Sequence, residues 1–166
     1  MSPELLAPAG DRECAFAALE YGADALYLGL RRFSARADAV NFSPEEAGEV
    51  IDYAHRMTPA RRVYVTFNTV LQNREWPEAL AALAEVDELG ADAVIVQDFG
   101  VARVVRREFP RLRLHASTQM ALHEPASIAA LADLGFSRVT LARELTLAEI
   151  RVIRQAVPLE IEVFAH

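Results

Sequence analysis

Lysine is missing from this 166-residue chain: all 17 positions counted as lysine or arginine are arginine. That absence removes a Schiff-base lysine and the phosphate-gripping lysine of a P-loop. Cysteine is almost missing as well. Cys14 stands alone, so no internal disulfide and no multi-cysteine metal site can be built from these residues. Neither a glycine-rich dinucleotide fingerprint nor a Gly-x-Ser-x-Gly nucleophile elbow occurs. No run is apolar and long enough to cross a membrane, and no basic leader precedes Leu5-Leu6-Ala7, so a soluble cytoplasmic protein is expected. The net charge of −7 argues against a surface that holds nucleic acid or anionic lipid by charge alone, while leaving room for a local basic patch.

What is present is a repeat. A helix ending in Gly is followed by a short apolar run in Tyr21-Gly22-Ala23-Asp24-Ala25-Leu26-Tyr27-Leu28, in Leu89-Gly90-Ala91-Asp92-Ala93-Val94-Ile95-Val96, and more loosely in Leu134-Gly135-Phe136-Ser137-Arg138-Val139-Thr140-Leu141. The glycine supplies the left-handed helix stop, and the run after it is apolar enough for a buried parallel strand. Further strands are expected at 5–8, 63–68, 112–117 and 161–164, with segments of helical period between them. Ser43-Pro44-Glu45-Glu46 and Thr146-Leu147-Ala148-Glu149 read as capping boxes, and Pro77 and Pro125 mark two more helix starts. The order is strand then helix, six times, then a seventh strand.

Such alternation gives a parallel α/β sheet, closed as a barrel or open and doubly wound. A TIM-barrel-like (β/α)₈ architecture is favoured, because no long crossover or switch point interrupts the repeat. A full barrel takes roughly 250 residues, so residues 1–166 are expected to form one partial domain of six units plus a strand. The open edge left after that strand would be covered by further chain or by self-association.

In a parallel barrel the residues at the carboxyl ends of the strands line the site. Those exits carry Pro8 to Gly10, Gly29 to Arg32, Asn68 and Thr69, Gln97 and Asp98, Ser117 to Gln119, Arg143 and Glu144, and His166. Asp98, Glu144 and His166 are the candidate acids and bases. Asn68, Gln97, Ser117, Gln119 and Arg143 are candidate substrate-binding groups, joined by Arg31 and Arg36 on a segment, 31–42, longer than an ordinary β/α loop. The plainer reading of those arginines is pairing with Asp38 or with the acidic helix that follows. His55 reads as solvated, His123 as flanking the start of the helix at Glu124-Pro125, His115 as either a satisfied core histidine or a site residue, and Cys14 as a packing residue. Ser117 with His115 or His166 and Asp98 makes a triad only on paper.

Glu4 to Gly10, Gly22 to Gly29, Phe33-Ser34-Ala35-Arg36 with Asn41-Phe42, Val63 to Thr69, Val96-Gln97-Asp98, His115 to Met120 and Leu141 to Leu145 together resemble peptidase family U-32, the collagenase-like proteases. The resemblance adds Asn41 to the substrate-binding set. It implies that Glu162-Val163-Phe164-Ala165-His166 opens the family signature, so this is an N-terminal portion of a larger enzyme. Cysteines beyond His166, in some members ligands of an iron–sulfur cluster, would follow. Members are named as peptidases or resemble oxygen-independent hydroxylases of transfer RNA, ribosomal RNA or the ubiquinone ring. The resemblance therefore implies RNA or a small ring as substrate, with peptide hydrolysis and a non-catalytic RNA- or partner-binding segment as alternatives.

Overall fold

A computed structural model describes residues 3–35 and 41–165. Seven strands, β1 (Leu6–Pro8), β2 (Ala25–Gly29), β3 (Arg62–Phe67), β4 (Ala93–Val96), β5 (Arg113–Ala116), β6 (Phe136–Thr140) and β7 (Glu160–Glu162), pair in parallel and in sequence order. Six helices alternate with them: α1 (Arg12–Glu20), α2 (Pro44–Arg56), α3 (Trp76–Glu88), α4 (Phe99–Glu108), α5 (Pro125–Asp133) and α6 (Leu147–Ala156). Both capping boxes form: Ser43 Oγ accepts from Glu46 N while Glu46 accepts from Ser43 N, and Thr146 pairs with Glu149 in the same way. Gly22, Gly90 and Gly135 all take the positive φ that a helix stop requires.

Curling of the sheet follows from one contact. Glu4, just before β1, lies 2.6 Å from Arg138 on β6. In a flat sheet those strands would stand five spacings apart, roughly 24 Å, so the sheet is bent into an incomplete barrel. This settles the choice between closed and open sheet in favour of the barrel architecture.

Strand alternation divides the core. Outward residues such as Leu26, Leu28, Val63, Val65, Phe67, Val94, Val96, Leu114 and Val139 pack against the helices with Leu19, Ile51, Leu83, Val105, Ile128 and Ile153. The inward apolar set is small: Ala25, Tyr64, Ala93 and Ile95, with Leu6 and Tyr27 beside them. Ionic side chains occupy much of the remaining interior. Arg138 is 7% exposed and bonds Glu4 and, through two nitrogens, Glu160. Arg113 also pairs with Glu160, and Tyr64 donates to Glu4, which Arg62 bonds as well.

A register shift between β5 and β6 makes this arrangement possible. Leu114 pairs with Phe136 but His115 pairs with Arg138, leaving Ser137 as the extra residue, its hydroxyl donating to the Leu114 carbonyl. Phe136 and Val139 can then both face the helices while Arg138 points inward.

Candidate functional site

The mouth of the barrel is built where β2, β3 and β4 end. Thr66 donates its hydroxyl to the Leu28 carbonyl, which leaves Ser34 Oγ to donate to Thr66 Oγ1 at 3.0 Å. Asn68 Oδ1 accepts from Ala35 N at 3.0 Å, and the Asn68 carbonyl accepts from Gln97 Nε2 at 2.7 Å. These bonds fasten the segment after β2 across the ends of β3 and β4. Gly29 is needed there, since a Cβ would lie 2.5 Å from Ser34 Oγ and 2.8 Å from Asn41 Oδ1.

The same segment holds Phe33 at φ +62°, a costly conformation for a bulky residue. Its buried ring stacks on Phe67, 4.8 Å between centroids, and Arg32 lies over it while pairing with Glu78. Arg31 is exposed, and its charge contributes to the lowered proton affinity of Glu45, set first by hydrogen bonds at Glu45 and Ser43. The two described arginines thus sit against acids of α2 and α3. Arg36, Asp38 and His166 lie outside the described residues.

Asp98 is the N-cap of α4: Oδ1 accepts from Gly100 N and Val101 N, and Oδ2 from Leu71 N. Its carboxylate therefore ties the end of β4 to the loop after β3. Ser117 is buried and caps a short turn, accepting from Gln119 N at 3.3 Å, with its hydroxyl aimed at Gln119 Oε1 at 3.4 Å. Gln119 is exposed. Arg143 and Glu144 stand exposed on the turn after β6, with the Arg143 guanidinium 4.3 Å from the centre of the Phe164 ring. A cleft of about 180 Å³ opens between that pair and Leu141, Leu145 and Ile150. Asn68, Gln97 and Asn41 are thus gathered at one side of the mouth, whereas Asp98 and Glu144 point to different tasks.

His115 lies in the core but is not a satisfied core histidine. It is fully buried, yet among the described residues neither ring nitrogen has a hydrogen-bond partner. Its ring meets Tyr64 edge-on at 4.6 Å. Burial, with Arg138 and Arg113 nearby, lowers its pKa to about 3, so the ring is neutral. Desolvation likewise pushes the Tyr64 phenol up to about 12. No bond joins Ser117 to His115 among the described residues, so the triad built on His115 is not assembled; the one built on His166 lies outside the described residues.

Two inward groups at the mouth escaped the sequence reading. Thr140 donates to Glu162 Oε1 at 3.0 Å, while Glu162 Oε2 is buried without a hydrogen bond, 3.7 Å from Arg138. Burial raises the Glu162 pKa, with Thr140 and Arg138 opposing. The available signal was parity: Arg138 and Thr140, like Glu160 and Glu162, are two apart on neighbouring strands and share the inward face.

Among the described residues no three His, Cys, Asp or Glu side chains gather to hold a metal. Cys14 is exposed on α1, outside the barrel. A lone outer thiol does not fit an iron–sulfur cluster, and no ligand set for one exists among the described residues. No described helix is long and apolar enough to cross a membrane.

Sequential parallel strands, an outer ring of helices and a polar mouth at the strand ends define a chain of the TIM-barrel class. The chain belongs to peptidase family U32, whose profile matches residues 10–166. It is 40% identical over 163 residues to the 23S rRNA 5-hydroxycytidine C2501 synthase of Escherichia coli, covering 98% of this chain and 24% of that protein. It is 38% identical to the tRNA hydroxylation protein P of Escherichia coli, covering 99% and 36% respectively. An uncharacterized protease of Methanocaldococcus jannaschii is also 38% identical, with coverage of 98% and 40%. The chain thus spans about a quarter to two-fifths of these relatives. Among solved structures, a U32 peptidase superposes with a TM-score of 0.73 at 18% identity, over 98% of this chain and 70% of that one. Phosphoribosyl anthranilate isomerase from Thermus thermophilus gives 0.63 at 18%, over 96% and 75%. The structural likenesses establish the fold alone.

Proposed function

We propose that the full-length protein hydroxylates a base of transfer or ribosomal RNA, and that this chain forms the substrate-facing wall of its site. The observation that carries this reading is the mouth itself: amides and hydroxyls of Asn41, Asn68, Gln97, Ser117 and Gln119 line it, and Ser117 is bonded to no histidine among the described residues. Such groups complement the hydrogen-bonding edges of an unstacked base. The names of the Escherichia coli relatives, both RNA hydroxylation proteins, support the same substrate class.

In this reading Asn68 and Gln97 orient the ring, the Gln97 amide held by the Asn68 backbone carbonyl and the Asn68 amide by Ala35 N. Arg143, stacked on Phe164, holds a phosphate or a second ring at the cleft, and Arg31 and Arg36 supply positive charge from the segment after β2. Asp98 acts as a positioning residue through its cap on α4. Glu144, exposed and without an ion-pair partner among the described residues, is the acid that can exchange protons with substrate. An iron–sulfur cluster would supply the redox chemistry of an oxygen-independent hydroxylation, and its ligands would come from outside the described residues. The peptidase reading rests on the names of the family and of the archaeal relative. The unassembled Ser117 and His115 weigh against hydrolysis by that pair.

The test compares RNA from cells with and without the gene by nucleoside mass spectrometry. Loss of a pyrimidine heavier by one oxygen atom is expected. An unchanged nucleoside profile, together with peptide-bond cleavage by the purified protein, would overturn the proposal.

A further inference from the structure

The outer face of α4 carries a pattern that the mouth does not explain. Val101, Ala102 and Val105 are buried against the sheet. At about 100° per residue, Phe99, Arg103, Arg106 and Arg107 fall within an arc of about 100° on the opposite side. Phe99 is 57% exposed although it is the first residue after the Asp98 cap, directly on the rim of the mouth. Beside it stands Val70, 70% exposed, brought there by the bond from Leu71 N to Asp98. An aromatic ring at the rim therefore leads into three arginines on successive turns, in a chain whose net charge is −7.

The charges on this face are only partly answered. Arg103 has no ion-pair partner among the described residues. Arg106 donates to the Asp133 backbone carbonyl at 2.6 Å, with its stem laid over Gly135, a contact that orients the guanidinium without neutralising it. Arg107 pairs with its neighbour Glu108, both exposed. On one flank α5 offers Ala126, Ser127, Ala129 and Ala130, all exposed and uncharged, between Glu124 at its cap and Asp133 at its far end. On the other flank α3 carries Glu85 and Glu88, which would confine a polyanion to the α5 side.

We infer that this face is a single-stranded RNA track: Phe99 stacks on a base flanking the one in the mouth, while Arg103, Arg106 and Arg107 hold the phosphates beyond it. The inference rests on the RNA reading of the site and adds where the strand runs. Stacking on an aromatic side chain and phosphate neutralisation by arginine are the two terms that single-strand binding uses.

The test is equilibrium binding of oligouridylate and of total transfer RNA to the full-length protein over a range of salt. Arg103→Ala with Arg107→Ala is compared with Arg151→Ala with Arg154→Ala, an equal charge change among exposed positions of α6. At about 0.7 counterions per phosphate contact on single strands, the α4 pair should lower the log–log salt slope by about 1.4 and weaken binding about tenfold at low salt. The α6 pair should leave both near the native values. Phe99→Ala should weaken binding about 5- to 100-fold with the slope unchanged, and saturating RNA should restore native turnover in all the α4 variants. Equal losses from both arginine pairs, or none from the α4 pair, would overturn the track. A native protein that hydroxylates and binds RNA, beside an α4 pair indistinguishable from it, would overturn the track alone. A native protein that binds no RNA would overturn the functional reading with it.

Discussion

His115→Phe should make the protein less sensitive to acid. The native ring is fully buried, has no partner at Nδ1 or Nε2 among the described residues, and is held neutral, its pKa lowered from 6.5 to about 3 by burial first and then by Arg138 and Arg113. Because the folded value lies below the unfolded one, the unfolded chain takes up a proton first as pH falls. The associated stability is therefore complete above about pH 6.5 and is lost progressively toward pH 3. Linkage over that shift puts the loss between pH 7 and pH 5 at about 2 kcal/mol. A phenyl ring keeps the edge contact with Tyr64 and has no nitrogen to leave unbonded. At pH 7 the variant should match the native protein or exceed it by about 1 kcal/mol, since an unsatisfied buried polar group costs about 1–3 kcal/mol. Urea unfolding of both proteins at pH 5, 6 and 7 measures this directly, and their difference cancels the carboxylates common to both. An acid slope as steep in the variant as in the native protein would refute the reasoning. So would a loss above about 2 kcal/mol at pH 7, because it would mean that the ring nitrogens are bonded after all.

Removing Arg138 should be the most damaging interior change: Arg138→Met leaves Glu4 with Arg62, Glu160 with Arg113 and Glu162 with no cation among the described residues, and is expected to cost about 3–5 kcal/mol. Adding Glu160→Gln should recover part of that in a urea-denaturation cycle, and strict additivity would contradict the network. At Asp98 the cap and the catalytic roles separate. Asp98→Ala should cost about 1–2 kcal/mol and Asp98→Asn much less, with Asn retaining turnover; an Asn variant that folds natively but is inactive would show direct chemistry. Gly29→Ala should displace Ser34 and Asn41 from the mouth, weakening RNA binding at least about tenfold with little change in melting temperature. Native affinity in that variant would remove this corner from the binding surface.

The barrel was legible because its signals are local. Gly22, Gly90 and Gly135 end helices within a few residues of the strands they precede, and Ser43 and Thr146 cap helices through partners three positions on. Strand limits shifted by a residue or two, as with Glu160–Glu162 where 161–164 was expected, since pairing rather than hydropathy decides where a ladder stops. The interior network was not legible. Glu4 and Arg138 are 134 positions apart, and Arg138 faces inward only because of the extra residue at Ser137, which no hydropathy pattern shows. At the mouth, Asn68 and Gln97 came together as their strand-exit positions suggested. Asp98 was read for its acidity, although Asp98 followed by Gly100 and Val101 at a helix start carries a capping pattern that was there to be read. That His115 is buried without partners was not legible, because a lone residue cannot reveal whether its nitrogens will find them.

The two ends of the barrel interior do separate work, and the separation has a physical cause. Toward the amino ends of the strands, Arg62, Arg113, Arg138, Glu4 and Glu160 satisfy one another, so that end is self-contained and offers a ligand little. Further along the same strands, four residues on from Arg62 and Arg113 and two on from Arg138 and Glu160, the groups become Thr66, Ser117, Thr140 and Glu162, uncharged except for the Glu162 carboxyl, which Thr140 and Arg138 stabilise against the desolvation that raises its pKa. Beyond them Asn68, Gln97 and Gln119 face the opening. Among the described residues, positive charge stands at the rim of the mouth, on Arg31, Arg143 and the α4 face. A neutral ring attached to a phosphate chain fits that distribution from both directions: the ring meets amides and hydroxyls inside, and the phosphates meet arginines outside. A carboxylate entering ring-first would meet Glu162 without a facing cation of its own, because Arg138 is already bound to Glu4 and Glu160. Discrimination between a base and an acidic ring is therefore expected to depend on Glu162, and Glu162→Gln should relax it while leaving the phosphate-dependent part of binding intact. Competition of oligouridylate by free orotate, negligible for the native protein and measurable for the variant, is the readout; equal competition in both would place the selection elsewhere.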